Sequence, residues 1–312
     1  MLKNSRILVT GADGLVGKNL IHYLLTSGYT NVISIARSDC DLADFTQVKD
    51  NFEKHLPEYV FHLAAKVYGI GGNLKFQGTI FYENTLMNTY VIEAARVFGV
   101  KKILCMGTIA AYPDPKKEPV SEVDLWEGPP HASEASYGHA KRGMLAQLQA
   151  YSQSFNMDYS YVLSTNLYGP YDKFDAAYGH VLPSLISKFF EGKKTGKDII
   201  IWGDGSAARD FLYSVDAAVA LVKIMDTRSG PINLGTGQKT FIRDAVQYLS
   251  DHVGVSSQVK WDTSKPNGRK YYELDIRNLS EIGFKPSFTF KQGLLATYDW
   301  YAAAMEHGNV RT

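Results

Sequence analysis

The sequence predicts an α/β protein built on a doubly wound parallel sheet, with a smaller, mixed lobe supplied by its C-terminal part. Three observations predict it. A glycine-rich turn joins the first apolar run to the first helical pattern. Short apolar runs and helix-period segments then alternate through the first half of the chain. Several runs end in glycine, small or hydroxyl residues, and in such sheets ligands bind beyond the carboxyl ends of the strands. The predicted division is residues 1–165 for the sheet domain, with later segments returning to it, and 166–312 mainly for the second lobe.

Taken in order, Arg6-Ile-Leu-Val-Thr10 is the first strand, Gly11-Ala-Asp13-Gly14-Leu15-Val16-Gly17 the turn, and Lys18-Asn-Leu-Ile-His-Tyr-Leu-Leu25 a helix. Glycines let the backbone approach a pyrophosphate, whose charge is then held by the N–H groups of the helix N-terminus. The spacing is GxxGxxG, unlike the GxGxxG dehydrogenase fingerprint. Val32-Ile-Ser-Ile-Ala36 is the second strand, and Arg37 follows it. An acidic residue there would bond the ribose 2′-OH of NAD, whereas arginine accommodates a 2′-phosphate, so the chain leans to NADP. Asp39 and Asp41 lie nearby, and a surface role for Arg37 stays open.

Tyr59-Val-Phe-His-Leu63-Ala64-Ala65 is a third strand ending in small residues that permit close approach of a cofactor. A helical pattern over residues 81–98 leads to the fourth strand, Lys102-Ile-Leu-Cys-Met106, which ends at Gly107-Thr108. Tyr159-Ser-Tyr-Val-Leu163 is another strand. Beyond it glycines, prolines and aromatics become frequent, as in a lobe that closes over a substrate. No internal repeat or low-complexity linker interrupts the chain.

Composition excludes several classes. With 33 Lys plus Arg against 32 Asp plus Glu in 312 residues, there is no basic field for nucleic acid. No apolar run is long enough to span a bilayer, and the start of the chain lacks the plan of a signal peptide, so a cytoplasmic protein is expected. Cys40 and Cys105 form neither a disulfide framework nor a metal site, and no metal is expected.

The chemistry is concentrated in Tyr137-Gly-His-Ala-Lys141. Residues four apart on a helix share a face, so the lysine ammonium can stand beside the phenol, favour the phenolate and lower the phenol's pKa. A tyrosine so tuned is a usable general acid. Thr108, at the end of strand four, can hydrogen-bond a substrate carbonyl and complete a Thr-Tyr-Lys constellation.

TGADGLVG, HLAA, a hydroxyl residue after strand four, and YxxxK in this order resemble the extended short-chain dehydrogenases/reductases, whose nucleotide domain is of Rossmann type. The similarity continues through Thr165-Asn-Leu-Tyr-Gly-Pro170, Gly179-His-Val-Leu-Pro183, Trp202-Gly-Asp-Gly205, Arg209-Asp-Phe-Leu212 and Ser264-Lys-Pro-Asn-Gly268. Together these look like the GDP-L-fucose synthase family of epimerase/reductases. The resemblance implies NADPH or NADP+ against Gly11, Asp13, Gly14, Leu15, Val16 and Gly17, and against Arg37, Asp41 and Leu42. It further implies cofactor contacts at Leu63, Ala64, Ala65, Tyr137, Lys141, Leu167 and His180. For the sugar nucleotide it implies Thr108, Ile109, Ala110, Asn166, His180, Val181, Lys188, Trp202 and Arg209. Read as residues alone, Asn166 also suits a turn, Lys188 and Arg209 a solvated surface, and Trp202 a core. A homodimer through the helices of residues 81–98 and 137–155 is a further expectation of the family. The segments around 67–72, 110–112 and 174–180 are expected to shape the sugar pocket.

One departure matters. In that family the segment after strand four carries a cysteine that serves as base in C3/C5 epimerisation, with a histidine as its partner acid. Here the segment reads Gly107-Thr-Ile-Ala-Ala-Tyr112-Pro113, which puts Ala110 at the cysteine's place while His180 is retained. Cys105 lies too far back to replace it. The expectation is therefore NADPH-dependent C4 reduction of a GDP-linked 4-keto sugar, a 6-deoxyhexose or heptose, without epimerisation. The alternatives are a bifunctional epimerase/reductase and a non-catalytic NADP-binding regulatory module. A 4,6-dehydratase is disfavoured because Ile109-Ala110, and not an acidic pair, follow Thr108.

Overall fold

In a computed structural model of the chain, the described residues are 1–312 apart from 68–71, 73–74, 115–117, 176–178, 256–258, 266–270, 309 and 311–312. The first strands are β1 (Ile7–Thr10), β2 (Val32–Ile35), β3 (Tyr59–His62), β4 (Lys102–Met106) and β5 (Asp158–Ser164). Between them run α1 (Leu15–Thr26), α2 (Phe45–His55), α3 (Gln77–Val97) and α4 (Ala135–Phe155). The third strand stops at His62, so Leu63, Ala64 and Ala65 belong to the loop beyond it, and α3 begins four residues earlier than the apolar pattern suggests.

The sheet has six parallel strands in the order β10-β5-β4-β3-β1-β2, where β10 is Gly230–Leu234. Chain direction across the sheet reverses between β1 and β3, the place where a doubly wound sheet opens a crevice for a ligand. Alternate residues of each strand face opposite layers. Leu8, Val60, Ile103 and Cys105 pack with Val91, Ile92, Met144 and Leu145 of α3 and α4. Ile7, Val9, Phe61 and Leu104 pack with Leu20 and Leu24 of α1 and with Ala217, Leu221 and Ile224 of α6 (Ser214–Thr227). Residues beyond 165 thus complete both an edge and a face of the sheet.

A third apolar cluster, built on Phe174, Phe189, Tyr213, Leu249, Leu294 and Tyr301, forms the second lobe. It joins α5 (Val181–Thr195), α7 (Ile242–Val253) and α9 (Phe290–Glu306) to short strand pairs. These are β7 (Ile199–Trp202) parallel to β12 (Val259–Asp262), β8 (Ala208–Arg209) antiparallel to β11 (Thr240–Phe241), and β6 (Asn166–Tyr168) parallel to β9 (Phe211–Tyr213). The small helix α8 (Arg277–Glu281) returns to the sheet, with Leu279 in its core. Among the described residues no helix is long and apolar enough to cross a membrane.

Candidate active site

The glycine turn leaves β1 at the point where the sheet order reverses. Gly14 precedes α1 in an extended conformation and, as a glycine, has no side chain with which to cap the helix's first turn. Its N–H groups are therefore open to an anion. Gly17 is required by close packing: a Cβ there would lie 2.2 Å from the Gly11 carbonyl oxygen and 2.9 Å from the Ala12 Cα. Gly17→Ala is expected to displace the turn, weakening NADPH binding about tenfold or more and lowering Tm. Titration of cofactor fluorescence checks the first effect and a thermal melt the second.

Beyond β2, Arg37 is exposed and has no hydrogen-bond or ion-pair partner among the described residues. The Asp39 carboxylate accepts from Ala36 N–H at 2.8 Å and Asp41 from Ala43 N–H at 3.0 Å, so both acids are engaged in shaping the turn. Leu42 is buried in the layer that holds α2.

Between β1 and β3 a buried relay fixes the loop holding Leu63, Ala64 and Ala65. Asn88 Oδ1 can only accept, so His62 Nε2 donates to it at 3.1 Å. His62 Nδ1 therefore accepts from the Thr10 hydroxyl at 2.8 Å, and Thr10 Oγ1 accepts from Ala64 N–H at 3.3 Å. Burial, with the Lys141 ammonium adding to it, holds the His62 pKa down at about 3, so the imidazole is neutral. One turn earlier on α3, Asn84 pairs with both the N–H and the carbonyl of Lys66.

Tyr137 and Lys141 lie in α4, both buried, with the Lys141 Nζ 5.8 Å from the centre of the phenol ring. The Lys141 ammonium is 0% exposed and has no hydrogen-bond partner among the described residues. Burial pulls its pKa down to about 8. The phenol departs from the sequence expectation: its pKa is raised by burial, reinforced by the Glu134 carboxylate, and not lowered by the lysine. At this separation desolvation outweighs the attraction between ammonium and phenolate. Tyr137 is thus held as the protonated phenol at neutral pH, the form a proton donor needs.

Thr108 opens a short 3-10 turn, Ile109–Ala111, facing Tyr137. Its Oγ1 accepts from Ala110 N–H at 3.1 Å, which leaves the hydroxyl hydrogen free to donate outward. Ala110 is buried against Tyr137 and Ile80. Gly138 allows α4 to abut this turn, because a Cβ there would lie 2.8 Å from the Ala110 carbonyl oxygen. Three residues that the sequence did not single out hold the turn from outside. Arg142 Nε donates to the Ala111 carbonyl at 2.7 Å, Tyr272 Oη donates to the Ile109 carbonyl at 2.7 Å, and Asn233 Oδ1 accepts from the Oη of Tyr112, which closes the turn, at 2.7 Å. Asn233 was the one legible sign, a polar residue inside the apolar run Pro231-Ile-Asn-Leu234.

From the second lobe, His180 precedes α5 and Val181 begins it. The His180 ring reaches solvent, but surrounding atoms crowd it enough to lower its pKa, opposed by Glu134. The Glu134 carboxylate thus influences both His180 and Tyr137. Gln77, Ile80 and Glu134 line a shallow indentation beside the phenol, too tight to hold a water molecule.

The expected nucleotide contacts are partly committed elsewhere. Asn166 is in strand β6, not a turn, and its amide donates to the Asp210 carbonyl at 3.1 Å. Leu167 packs at the edge of the sheet core. Lys188 donates to the Ile200 carbonyl at 3.0 Å and lies 5.9 Å from the centre of the Trp202 ring. Trp202 is 62% exposed and therefore not a core residue; Lys265 stands 5.8 Å from the same ring. Arg209 donates to its neighbour's carbonyl at Ala208. Most of Ser264-Lys-Pro-Asn-Gly268, Arg269 and Lys270, and parts of the pocket segments 67–72 and 174–180, lie outside the described residues. Among the described residues no three His, Cys, Asp or Glu side chains converge as metal ligands.

The open N-terminus of α1, the close-packed glycine turn and the partnerless ammonium of Lys141 fit a dinucleotide lying from the turn to Tyr137. Solved structures of similar fold hold NADP. A family profile described as the NAD dependent epimerase/dehydratase family matches residues 7–235. The chain is 34% identical over 302 residues to GDP-L-fucose synthase 1 of Arabidopsis thaliana, covering 96% of this chain and 94% of that protein. Among solved structures, a GDP-L-fucose synthetase from Naegleria fowleri bound to NADP superposes with a TM-score of 0.92 at 30% identity, covering 100% and 96% of the two chains. A GDP-mannoheptose C4 reductase from Campylobacter jejuni with NADP bound gives 0.87 at 27% identity, covering 96% and 99%.

Proposed function

This chain belongs to the NAD dependent epimerase/dehydratase family, and on that footing we propose that it reduces a GDP-linked 4-keto sugar at C4 with NADPH without epimerising the adjoining carbons. The observation that carries the reading is Ala110: its methyl group packs on Tyr137 where GDP-L-fucose synthases are expected to present a thiol. Similarity to the fucose synthases and to a heptose C4 reductase supports a GDP-linked 6-deoxyhexose or heptose as substrate.

The glycine turn brings the backbone N–H groups of Leu15, Val16 and Gly17 to the pyrophosphate, and Arg37 takes the 2′-phosphate. Bound NADPH supplies the hydride that reduces the carbonyl carbon. Thr108 donates its free hydroxyl hydrogen to the ketone oxygen and so orients it. Tyr137 passes its proton to that oxygen as negative charge develops there. Lys141 stabilises the resulting phenolate and hydrogen-bonds the nicotinamide ribose. His180 contacts the sugar across the cleft, while Lys188, Trp202 and Arg209 serve the GDP. The enzyme works as a cytosolic homodimer through α3 and α4, which expose Phe81, Tyr82, Val97 and Phe155.

Arg37→Ser is expected to raise KM for NADPH about tenfold while barely changing that for NADH, because it removes a charge-assisted contact to phosphate. Steady-state kinetics with both cofactors check this. The reading as a whole is tested in D₂O, with a GDP-4-keto-6-deoxy sugar and enzyme, with and without NADPH. A reduced product with no enzyme-dependent deuterium on carbon is expected by mass spectrometry. The retained His180 favours one rival, the bifunctional epimerase/reductase, and deuterium at C3 or C5 above the enzyme-free control would establish it instead.

A further inference from the structure

We propose that Tyr272 is a positioning residue for the catalytic turn, through which the C-terminal part of the chain sets the orientation of the Thr108 hydroxyl; the catalytic consequence rests on the reading given above. The phenol of Tyr272 is almost fully buried and donates to the Ile109 carbonyl at 2.7 Å, an oxygen that also accepts from Tyr112 N–H at 3.1 Å. Ile109 is the first residue of the turn, directly after Thr108.

The backbone that delivers Tyr272 is itself fixed. Val120 N–H donates to the Glu273 carbonyl at 2.8 Å, Asp275 N–H donates back to the Val120 carbonyl at 2.9 Å, and Val120 bridges Leu274 in parallel. Asn233, 0% exposed, completes the junction from β10. Its amide donates to the Val120 carbonyl at 3.1 Å and the Asp275 carbonyl at 3.0 Å, while its Oδ1 accepts from Tyr112. One buried side chain thus ties the segment carrying Tyr272 to the residue closing the turn.

The turn is gripped from two directions. Arg142 reaches from α4 to the Ala111 carbonyl, and Tyr272 reaches from the C-terminal segment to the Ile109 carbonyl. Inside it, the Thr108 carbonyl accepts from Ala111 N–H at 3.1 Å and its Oγ1 accepts from Ala110 N–H. The direction of the Thr108 hydroxyl therefore follows from how this small ring of bonds is held. Arg142 belongs to the helix that carries Tyr137 and Lys141; Tyr272 brings a restraint on Ile109 itself from the part of the chain assigned to substrate.

The experiment pairs Tyr272→Phe, which keeps the ring and deletes the donor, with Tyr151→Phe as control. Tyr151 lies on α4 away from the turn and donates to Glu93 at 2.9 Å. Hydrogen exchange by mass spectrometry reads the 108–112 peptide, where the Ala111 and Tyr112 N–H groups report the turn. Loss of one hydrogen bond is expected to speed exchange there about three- to tenfold in Tyr272→Phe and not in Tyr151→Phe. With a GDP-4-keto sugar, kcat is expected to fall by about the same factor while KM for NADPH stays unchanged. Unchanged exchange overturns the proposal whatever the substrate, and faster exchange with unaltered kcat overturns its catalytic half. Faster exchange in a protein whose wild type reduces no GDP-4-keto sugar upholds the grip and overturns the functional reading.

Discussion

Tyr137→Phe is expected to lower kcat about 10²–10⁴-fold, the usual contribution of a positioned general acid. The ring fills a buried place against Ile80 and Ala110, and phenylalanine fills it equally. The fold and the cofactor site should therefore be untouched, with KM for NADPH within about twofold and Tm unchanged. The loss should fall on kcat and kcat/KM alike, as for a group used only in the transition state. A Phe variant that kept the wild-type rate would remove Tyr137 from the chemistry.

Lys141→Met is expected to abolish turnover and yet stabilise the cofactor-free protein at pH 7. Folding holds the pKa of this ammonium at about 8, against an ordinary value of 10.5. Between these values the unfolded chain binds the extra proton, so stability rises with pH from about 8 to 10.5. Below pH 8 the whole penalty stands, about 3 kcal/mol at 1.36 kcal/mol per pH unit. Methionine has a similar volume and no charge to desolvate, so its melts should show a gain near pH 7 that vanishes toward pH 10.5. A variant less stable than wild type at pH 7 would show that the amine has partners that repay its burial. In the wild type, kcat/KM should fall above about pH 8 as the free enzyme loses this charge, because the Tyr137 phenol ionises far higher.

Much of this arrangement was legible in the chain because it is local. The turn Gly11–Gly17 lies between a strand and a helix it directly joins, and the Tyr137/Lys141 pair follows from helix geometry alone. Thr108 could be named because strand ends carry the sites of such sheets. What escaped depends on residues far apart in sequence. Tyr272 meets Ile109 across 163 positions and Tyr112 meets Asn233 across 121, and no periodicity encodes either meeting. The sign of the Tyr137 shift was misjudged for a related reason: spacing places a lysine beside a phenol but does not reveal how completely both are buried. Trp202 could not be assigned to core or surface because β7 alternates buried and exposed residues, and only the tertiary fold decides which face is covered.

The place of β10 at the sheet's edge bears on how the chain is made. β1 to β5 are complete by residue 164, and with them the glycine turn, Thr108, Tyr137 and Lys141. The strand that covers β5 arrives only with residues 230–234, after most of a second lobe has intervened. Until then a nascent chain presents β5, with its run Tyr159-Ser-Tyr-Val-Leu163, as an unpaired border able to recruit another chain. The groups to which we assign the chemistry are thus assembled early, whereas protection from aggregation waits for a long-range pairing.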